Sequence, residues 1–411
     1  MKKYNVRIAP SSLSGQVTAP PSKSISHRAL ICAALADGES VISDLAFSQD
    51  ILATIDALTA IGAKFEKLGE DKLKVTGIGG KPRSLGVLAC RESGSTLRFM
   101  IPICLLSPEK FTLSGSEKLL SRPLGVYSDL FRARYCGVEG NALTLSSGNP
   151  LESGEYRVDG GISSQFITGL LFAIPLADGD SVLTVEGNFE SSSYVALTVD
   201  TLGKFGITIT REGNNFYIKG NQKYAPADIP IEGDASNAAF FEALNLVGGN
   251  VTVGGLDPDS LQGDMAFKKH FDALKAGSPD HIDLSDCPDL APVLFASAAI
   301  FGGIFTHTDR LRLKESDRVS AMKEELEKFG AQISVIDGLC GGTVKISPTE
   351  LHTPTVPLSS HNDHRIAMSL SVLCTRFGGV ITDAGAVSKS MPDFFEKLEA
   401  LGALITKEEI L

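Results

Sequence analysis

Cationic side chains open several predicted helices of this 411-residue chain, at the end where the helix dipole disfavours them. In "PPSKSISHRAL" (residues 20–30), Lys23 and Arg28 stand at the start of an apolar run that we expect to be helical. The N-terminus of a helix attracts anions, because its first backbone N–H groups have no partner within the helix. The two cations are therefore either solvated surface charges or partners of an anion that binds at this helix N-terminus.

Five further predicted helices begin with polar or charged residues before an apolar stretch. These residues are Glu92, Ser93, Gly94, Ser95 and Arg98; Ser163, Ser164 and Gln165; Asp234; Asp289; and Asn362, Asp363, His364 and Arg365. Each start alone is explained by helix capping, for which Ser, Asp and Asn are preferred. If the six N-termini converge on one cleft, their N–H groups and cations form an anion-binding surface. Its cations would be Lys23, Arg28, Arg98 and Arg365.

Three more charged segments lie outside these helix starts. They are "LSRPLG" with Arg122, "LRLKESDRVSAM" with Lys314, Glu315, Asp317 and Arg318, and "KSMPDFF" with Lys389. Arg122 precedes a proline and is therefore held in a rigid turn, and Lys389 is expected at a helix start. For the second segment, a solvated helix start with i,i+3 and i,i+4 ion pairs remains as good an explanation as a functional site.

Common cofactor and nucleophile motifs are absent from the sequence. It has no G-x-x-x-x-G-K-[ST] phosphate loop, no G-x-G-x-x-G after a strand and no G-x-S-x-G elbow. His361 and His364 are three residues apart, but no third ligand follows at a metal-binding spacing. The chemistry is therefore left to Lys, Arg, Asp and Glu, which suits acid–base catalysis on a polyanionic substrate without a cofactor.

The composition is that of a globular protein with an excess of acidic residues. Lys and Arg number 38 against 49 Asp and Glu, and the net charge of −11 disfavours nucleic acid or a membrane surface as a partner. The seven cysteines are scattered, so we expect a reducing cytoplasm rather than a disulfide framework. "MKKYNVRIAP" predicts a strand rather than a targeting peptide. "LAPVLFASAAIFGGIF" (290–305) is too short for a membrane span and predicts a buried helix followed by a strand.

One pattern recurs six times along the chain. An apolar helix begins near residues 22, 93, 163, 234, 287 and 362 and leads into a short alternating strand. A second helix of each unit is predicted to end at a glycine, namely Gly62, Gly137, Gly206, Gly277, Gly330 and Gly402. The interval from the fourth copy to the fifth is the shortest, so the fourth unit is abbreviated. Two markers that agree in six places predict a repeat protein of six similar α/β units.

The chain is longer than most single domains, so we expect two domains of three units each. "KYAPADIPIEGDAS" (223–236), with its two prolines, is the predicted crossing between them. Both domains are predicted to be of the mixed α/β class.

Eight motifs resemble, in order, those of the EPSP (5-enolpyruvylshikimate-3-phosphate) synthase family of enolpyruvyl transferases. They are "PSKSISHRAL", "ESGSTLRF", "SRPLG", "VDGGISSQFITGLL", "EGDAS", "LKESDR", "NDHRIAM" and "KSMPDFF", and they span nearly the whole chain. The resemblance implies a two-domain inside-out α/β barrel built from six βαβαββ units, three per domain. It implies a first domain of residues 21–232, a second of residues 1–20 plus 233–411, and an active site in the cleft between them.

The resemblance also implies a reaction and the residues that perform it. The family transfers the enolpyruvyl group of phosphoenolpyruvate to the 5-hydroxyl of shikimate 3-phosphate, in chorismate and aromatic amino acid biosynthesis, and glyphosate targets it. The residues expected to bind shikimate 3-phosphate are Lys23, Ser24, Arg28, Ser163, Ser164, Gln165, Ser191, Tyr194, Asp289 and Lys314. Those expected to bind phosphoenolpyruvate are Lys23, Gly94, Arg122, Gln165, Arg318, His364, Arg365 and Lys389. The expected catalytic residues are Asp289 as the base at the 5-hydroxyl, Glu315 as the acid and base at the methylene, and Lys23.

Three positions depart from the family's pattern. Glu92 replaces a small amide, and His27 and Arg310 stand where asparagine is common in relatives. The nearest alternative is a UDP-N-acetylglucosamine enolpyruvyl transferase, whose active-site loop usually supplies a cysteine. Residues 105–122, where that loop would lie, contain none.

Two alternatives come from other functional classes. A non-catalytic anion-binding repeat protein would have no need of Asp289 and Glu315 beside the cations. A relative of RNA 3′-phosphate cyclases is disfavoured by the acidic net charge and the missing nucleotide motifs. We therefore expect a cytoplasmic, monomeric enzyme that acts on two small molecules without a cofactor or a metal and binds neither nucleic acid nor membranes.

Overall fold

The computed structural model describes residues 4–277, 281–338 and 340–409. The chain divides into two compact units, Pro21–Glu232 and the residues up to Pro20 together with those from Gly233 onward. It leaves the second unit after Pro20 and returns to it after Glu232. The return lies within the segment 223–236 that contains two prolines.

Thirteen α-helices and twenty-two strands form within the described residues. The helices are α1 (Lys23–Leu35), α2 (Gln49–Ala60), α3 (Gly94–Cys104), α4 (Glu117–Leu120), α5 (Gly125–Leu130), α6 (Ser164–Ala173), α7 (Ser192–Lys204), α8 (Ala235–Ala243), α9 (Phe267–Lys275), α10 (Ala291–Phe301), α11 (Arg318–Glu327), α12 (His364–Phe377) and α13 (Phe394–Ala400). The strands are β1 (Tyr4–Ala9), β2 (Ser14–Thr18), β3 (Glu39–Ser43), β4 (Lys64–Lys67), β5 (Leu73–Thr76), β6 (Leu88–Ala89), β7 (Phe111–Ser114), β8 (Tyr135–Glu139), β9 (Ala142–Leu145), β10 (Glu155–Asp159), β11 (Ser181–Glu186), β12 (Ile209–Glu212), β13 (Asn215–Ile218), β14 (Ile229–Pro230), β15 (Asn250–Gly254), β16 (His281–Asp283), β17 (Gly303–Thr306), β18 (Gln332–Ile336), β19 (Thr343–Ser347), β20 (Leu358–Ser359), β21 (Gly379–Thr382) and β22 (Leu404–Glu409).

The unit Pro21–Glu232 contains three four-stranded sheets among its described residues. Their strand orders are β14-β3-β5-β4, β6-β7-β9-β8 and β10-β11-β13-β12. In each sheet the first two strands are parallel and the other neighbours are antiparallel. The parallel pairs β6-β7 and β10-β11 are joined through α3 and α6, because parallel neighbours require a crossover connection. This shared topology is the structural form of the sequence repeat.

The other unit repeats the same topology and completes it with the first strands of the chain. Its described residues form two four-stranded sheets, β16-β17-β19-β18 and β20-β21-β1-β22, and the two-stranded sheet β15-β2. The small sheet follows the helix of the fourth copy, so the predicted abbreviation is confirmed. Strand β1 lies between β21 and β22, with Val6 opposite Ile381 on one side and Lys407 on the other.

The repeat helices are buried along most of their length. A helix that is apolar on all sides has to be surrounded by protein, and α1, α3 and α6 are nearly fully buried from their second turn onward. Helix α3 packs against α6, and α1 packs against α7, around the core of their unit. In the other unit, α12 packs against α8 and α10. The polar residues of the first turns are the exceptions to this apolar pattern.

The apolar stretch 290–305 forms α10 and β17, as predicted. Among the described residues, no helix combines the length and the hydropathy that crossing a bilayer requires.

Two local predictions are wrong. Five of the six marker glycines follow a helix with positive φ, but Gly137 lies inside β8, where the pairing with β9 is irregular. The preceding helix α5 is short and ends at Leu130, well before this glycine. Lys389 is the last residue of a 3₁₀ segment, Ala384–Lys389, and the next helix begins only at Phe394. Its cation therefore lies at the C-terminal end of a helical segment, which the dipole favours.

Candidate active site

Lys23, the first residue of α1, is held by a carboxylate from the neighbouring helix. Its Nζ lies 2.9 Å from Oδ2 of Asp50, and each of the two side chains is 15% exposed. Asp50 belongs to the first turn of α2, where the dipole stabilises an anion. The pair offsets the unfavourable position of Lys23 and keeps its ammonium group at the N-terminus of α1.

Arg28 lies one turn further along α1 and is buried. Its guanidinium donates to Thr198 Oγ1 at 2.9 Å, to the Ser24 carbonyl at 2.6 Å and to the Tyr194 carbonyl at 2.8 Å. Burial lowers the pKa of Arg28 to about 10, which leaves it charged at neutral pH. Because all three acceptors are neutral oxygens, its positive charge is available to an anion.

The N-termini of α3 and α6 are joined through side chains. Arg98 NH1 donates to Gln165 Oε1 at 2.6 Å, and Gln165 Nε2 donates to Ser95 Oγ at 3.0 Å. A Cβ on Gly94, the first residue of α3, would lie 2.7 Å from Arg122 NH1. The missing side chain thus lets the Arg122 guanidinium approach the N-terminus of α3. Arg122 is then a cation at a helix N-terminus, as Lys23 is for α1.

Hydroxyl groups mark the N-termini of α6 and α7. Ser163 caps α6 by accepting from the Gln165 backbone N–H at 3.3 Å, and Ser164 is the first residue of the helix. Ser191 precedes α7 in a left-handed conformation with φ 55°. Such a conformation costs a non-glycine residue about 1–3 kcal/mol and is typical of functional sites.

In the other unit, Asp289 is surrounded by three cations. Its carboxylate accepts from Arg318 NH1 at 2.9 Å and Arg365 NH2 at 2.8 Å, and Lys314 Nζ lies 3.6 Å away. Burial alone would raise the pKa of Asp289, but Arg365, Lys314 and Arg318 outweigh it and hold this pKa well below its usual range. Asp289 is therefore ionised, and its side chain is 20% exposed.

Arg318 joins three carboxylates in one network. Its Nε pairs with Asp363 at 2.9 Å, its NH1 with Asp289 at 2.9 Å and its NH2 with Glu315 at 2.8 Å. Burial lowers the pKa of Arg318, but Asp363, Glu315 and Asp289 raise it overall. These bonds use three of the five guanidinium N–H groups and leave two for a ligand.

The pKa of Lys314 lies closer to neutral pH than that of an ordinary lysine. Loss of hydration lowers the pKa of Lys314 to about 8, with Arg318 and Arg310 adding to the effect and Asp289 opposing it. Arg310 donates to the Ser285 backbone carbonyl. Lys314 can therefore lose its charge in mildly alkaline solution.

A strained turn precedes α12 and accepts a hydrogen bond from the side chain of Lys389. His361 and Asn362 both have positive φ, 49° and 52°, and Lys389 Nζ donates to the Asn362 carbonyl at 2.6 Å. Asp363 caps α12 by accepting from the Arg365 backbone N–H at 2.9 Å. The buried ring of His364 follows, with Nδ1 3.8 Å from Asp363 Oδ1. The turn thus brings together Lys389, Asp363 and the start of α12.

The sequence matches one known protein family over nearly its whole length. A model described as EPSP synthase (3-phosphoshikimate 1-carboxyvinyltransferase) matches residues 8–398. The chain belongs to this family. Among named relatives, the 3-phosphoshikimate 1-carboxyvinyltransferase of Clostridium kluyveri is 41% identical over 434 residues, and that of Clostridioides difficile is 38% identical over 436. Each alignment covers 98% of both chains.

Solved structures of similar fold include EPSP synthases from Acinetobacter baumannii. One has a TM-score of 0.78, covers 99% of this chain and 100% of that one, and is 23% identical in sequence. A second has a TM-score of 0.77 at 21% identity. These likenesses agree with the mixed α/β fold of six similar units expected from the sequence.

One group of potential metal ligands occurs among the described residues. One ligand atom each from Glu324, Glu325 and His361 lies within 4.8 Å of the others. Lys328 Nζ already contacts both oxygens of Glu325 at 2.9 and 2.8 Å and lies 3.7 Å from Glu324. The ammonium group thus occupies the cation position, and the arrangement is an ion-pair network.

The sequence alone does not indicate several of the ion-pair and hydrogen-bond partners of these charged residues. Asp50 pairs with Lys23, Thr198 binds Arg28, and Ser236 Oγ accepts from Arg365 NH2 at 3.1 Å. The sequence predicts Asp363 only as one of the polar residues at a helix start. Asp50 could have been found from the sequence, because a carboxylate in the first turn of a helix is a recognisable local feature. Thr198 lies in the middle of a helix and Ser236 in an ordinary capping sequence, so their roles are visible only in the fold.

Proposed function

We propose that this chain transfers the enolpyruvyl group of phosphoenolpyruvate to the 5-hydroxyl of shikimate 3-phosphate and releases phosphate. The supporting observation is one buried guanidinium, Arg318, that binds Asp289 and Glu315 on its two terminal nitrogens at 2.9 and 2.8 Å. Two carboxylates of different surroundings suit an addition–elimination with proton transfers at two centres, the hydroxyl oxygen and the methylene carbon. Relatives that align over 98% of the chain carry the name of this reaction.

The cations match the charge of these substrates. Two phosphates and two carboxylates bring about five to six negative charges near pH 7, because the second phosphate pKa is near 6. The proposed cationic partners are Lys23, Arg28, Arg122, Lys314, Arg318, Arg365 and Lys389. Attraction between such groups becomes stronger as water is excluded from the site.

Shikimate 3-phosphate is assigned mainly to the helix starts of Pro21–Glu232. Hydroxyls at helix N-termini beside a cation with neutral partners suit a phosphate group. The proposed contacts there are Lys23, Ser24, Arg28, Ser163, Ser164, Gln165, Ser191 and Tyr194. Asp289 and Lys314 are proposed to contact the ring hydroxyl that reacts.

Phosphoenolpyruvate is assigned to the guanidinium groups, whose planar N–H pairs match carboxylate and phosphate oxygens. The proposed contacts are Lys23, Gly94, Arg122, Gln165, Arg318, His364, Arg365 and Lys389. Two N–H groups of Arg318 remain after its three ion pairs, so it can bind the substrate without giving up its carboxylate partners.

In the proposed first step, the 5-hydroxyl oxygen bonds to C2 of phosphoenolpyruvate and a proton adds to its methylene carbon. Asp289 accepts the hydroxyl proton, and Glu315, which takes up a proton from solvent before the step, supplies the methylene proton. In the second step, the bond from C2 to the phosphate oxygen breaks and Glu315 takes a proton from the new methyl group. The products are the enolpyruvyl ether and phosphate, with Lys23 stabilising charge on the departing phosphate. Asp289 gives up its proton to the departing phosphate and is ionised again for the next turnover.

Substrate binding would also adjust the base. The low pKa of Asp289 depends on Arg365, Lys314 and Arg318. An anion that attracts Arg365 and Lys314 weakens their effect on Asp289 and moves its pKa towards the ordinary value. Asp289 would then be a stronger base in the substrate complex than in the free enzyme.

A phosphate-release assay with phosphoenolpyruvate tests the reaction. We expect release with shikimate 3-phosphate as acceptor and none with UDP-N-acetylglucosamine in a parallel assay. Release only with the sugar nucleotide would overturn the proposal in favour of the other enolpyruvyl transferase. Mass spectrometry of the product should show the enolpyruvyl ether.

The proposal includes a cytoplasmic, monomeric enzyme, and Gly94 permits inhibition by glyphosate. The free thiol state of all seven cysteines supports a reducing compartment. Light scattering during size-exclusion chromatography tests the monomer, and competition between glyphosate and phosphoenolpyruvate tests inhibition.

A further inference from the structure

A buried line of hydrogen-bonding side chains joins three helices of Pro21–Glu232. His27 Nδ1 lies 2.7 Å from Thr54 Oγ1, which lies 2.7 Å from Thr96 Oγ1. Thr96 Oγ1 in turn donates to Ser93 Oγ at 2.7 Å. The four residues are each at most 1% exposed, and they belong to α1, α2 and the start of α3. We call them the His27–Ser93 chain.

The protons of this chain point in one direction. A hydroxyl has a single proton, and that of Thr96 is directed at Ser93. Thr54 must therefore donate to Thr96, and His27 must donate to Thr54 from Nδ1. The geometry thus selects the tautomer of His27 that carries its proton on Nδ1.

The surroundings of His27 keep its ring neutral. Burial, followed by the charges of Lys23 and Arg28, lowers the pKa of His27 well below its ordinary value. Nε2 is buried and has no hydrogen-bond partner among the described residues, as suits a ring nitrogen without a proton. The ring also meets Phe99 edge to face, with centroids 6.4 Å apart.

The chain connects residues to which substrate binding is assigned. His27 lies between Lys23 and Arg28 on α1, and Thr54 lies one turn after Asp50, the partner of Lys23, on α2. Ser93 is the N-cap of α3 and also accepts from the Thr96 backbone N–H at 3.2 Å. Gly94, beside the Arg122 guanidinium, follows directly.

We propose that His27, Thr54 and Thr96 are positioning residues for phosphoenolpyruvate. They hold the Ser93 side chain in one rotamer and so fix the first N–H groups of α3 beside Gly94 and Arg122. They also fix the position of these groups relative to Lys23 on α1. This inference rests on the proposed function. Asn Nδ2 and His Nδ1 occupy similar places relative to the backbone, so an asparagine at position 27 can make the same donation to Thr54.

Isosteric removal of the hydroxyls tests the chain. Thr54→Val and Thr96→Val should each raise KM for phosphoenolpyruvate about threefold to tenfold, the loss expected from one buried hydrogen bond, with kcat changed less than about twofold. Thr54→Ser and Thr96→Ser keep the hydroxyl and should retain the wild-type KM. His27→Asn should resemble wild type, whereas His27→Leu should resemble the valine variants.

A matched control separates positioning from loss of stability. Thr201 is also a buried threonine of this unit, and among the described residues its hydroxyl bonds only to the Leu197 carbonyl within α7, at 2.8 Å. Thr201→Val should lower the melting temperature without changing KM. If Thr96→Val and Thr54→Val behave in the same way, the chain is merely structural and the proposal is wrong.

A second readout does not depend on the reaction. Nitrogen-15 spectra of histidine-labelled protein, with His27 assigned through His27→Asn, should show a proton on Nδ1 and none on Nε2. In Thr96→Val the direction of the Thr54 proton is no longer imposed, so the second tautomer should gain population. A proton on Nε2 in the wild type would overturn the proposed direction. Failure of the proposed function would instead appear as absent turnover in the wild type with this spectrum intact.

Discussion

Arg318 and Asp363 form an ion pair, Nε to Oδ2 at 2.9 Å, in which the side chains are 1% and 0% exposed. The same oxygen accepts from Ser316 Oγ at 3.1 Å, and the other accepts the Arg365 backbone N–H at 2.9 Å. Asp363 thus orients Arg318 through its side chain and Arg365 through its backbone. A single carboxylate remote from solvent thus binds the guanidinium of Arg318 and caps the helix turn that carries Arg365.

Asp363→Ala should lower the free energy of unfolding by about 3–5 kcal/mol, because it leaves a buried guanidinium without one of its partners. Asp317→Ala is the matched control, since Asp317 also caps a helix, through Ser320 N at 3.0 Å, but its side chain is 38% exposed. Its loss should cost about 1 kcal/mol, as for an ordinary cap. Urea denaturation of both variants measures the difference, and equal losses would contradict the importance of the buried pair.

Asp289→Asn and Glu315→Gln should each lower kcat by about 10²–10⁴, the usual contribution of a general acid or base. Both amides keep the side-chain volume, so calorimetry should still detect the binding of both substrates. Glu324→Gln is the control, because this carboxylate lies on α11 with its side chain 60% exposed and should leave the rate unchanged. Wild-type turnover in either active-site variant would refute the proton-transfer roles.

The pKa of about 8 for Lys314 predicts an alkaline decline in substrate capture. As the pH rises through this value, the free enzyme loses a cation, so kcat/KM for shikimate 3-phosphate should fall above about pH 8. Lys314→Arg keeps its charge and should move this decline to higher pH. An unchanged profile in that variant would assign the decline to another group.

The lowered pKa of Lys314 also affects the stability of the fold, and here a rise in pH is favourable. Because the pKa of Lys314 is lower in the folded protein than its ordinary value of 10.5, the unfolded chain binds more protons between about pH 8 and that value. The contribution of Lys314 to the free energy of unfolding therefore increases as the pH rises across this window. Denaturation of wild type and Lys314→Met at pH 8 and pH 10 isolates this contribution.

Gly94→Ala should weaken phosphoenolpyruvate binding more than shikimate 3-phosphate binding. The added methyl group would lie 2.7 Å from Arg122 NH1 and 3.3 Å from Arg98 NH1, so the Arg122 guanidinium has to move away from the α3 N-terminus. Gly125→Ala is the control, because a Cβ at this first residue of α5 meets no atom within 4 Å. Separate KM values for the two substrates measure the effect, and equal changes in both would place Arg122 outside the phosphoenolpyruvate site.

The repeat could be predicted because its signals are local. Apolar helices, polar N-terminal residues and glycines after helices recur at similar spacing, and five of the six glycines lie where this pattern placed them. Gly137 shows the limit of the method, since a glycine inside a bulged strand cannot be told from a helix end by spacing alone. The charged motifs likewise predict most of the charged residues around Lys23 and Asp289, because these residues can be recognised without knowing their partners.

The partners could not be predicted, because they depend on contacts distant in sequence. Arg28 and Thr198 are separated by 170 positions, and Ser236 and Arg365 by 129. Nor does any local pattern show that β14 joins β3, or that Asp50 neutralises Lys23 from the next helix. These relationships follow from sheet order and helix packing.

The placement of β1 and β2 has a consequence for the order in which the protein can assemble during synthesis. Both strands leave the ribosome before Pro21–Glu232, but β2 pairs with β15, and β1 pairs with β21 and β22, all of which follow that segment. The contiguous segment Pro21–Glu232 can therefore become native while synthesis continues, whereas the other unit has to wait for its last strand. A circular permutant that joins β22 to β1 and begins at Pro21 would make both units contiguous, so that β1 and β2 would no longer remain unpaired while Pro21–Glu232 is synthesised.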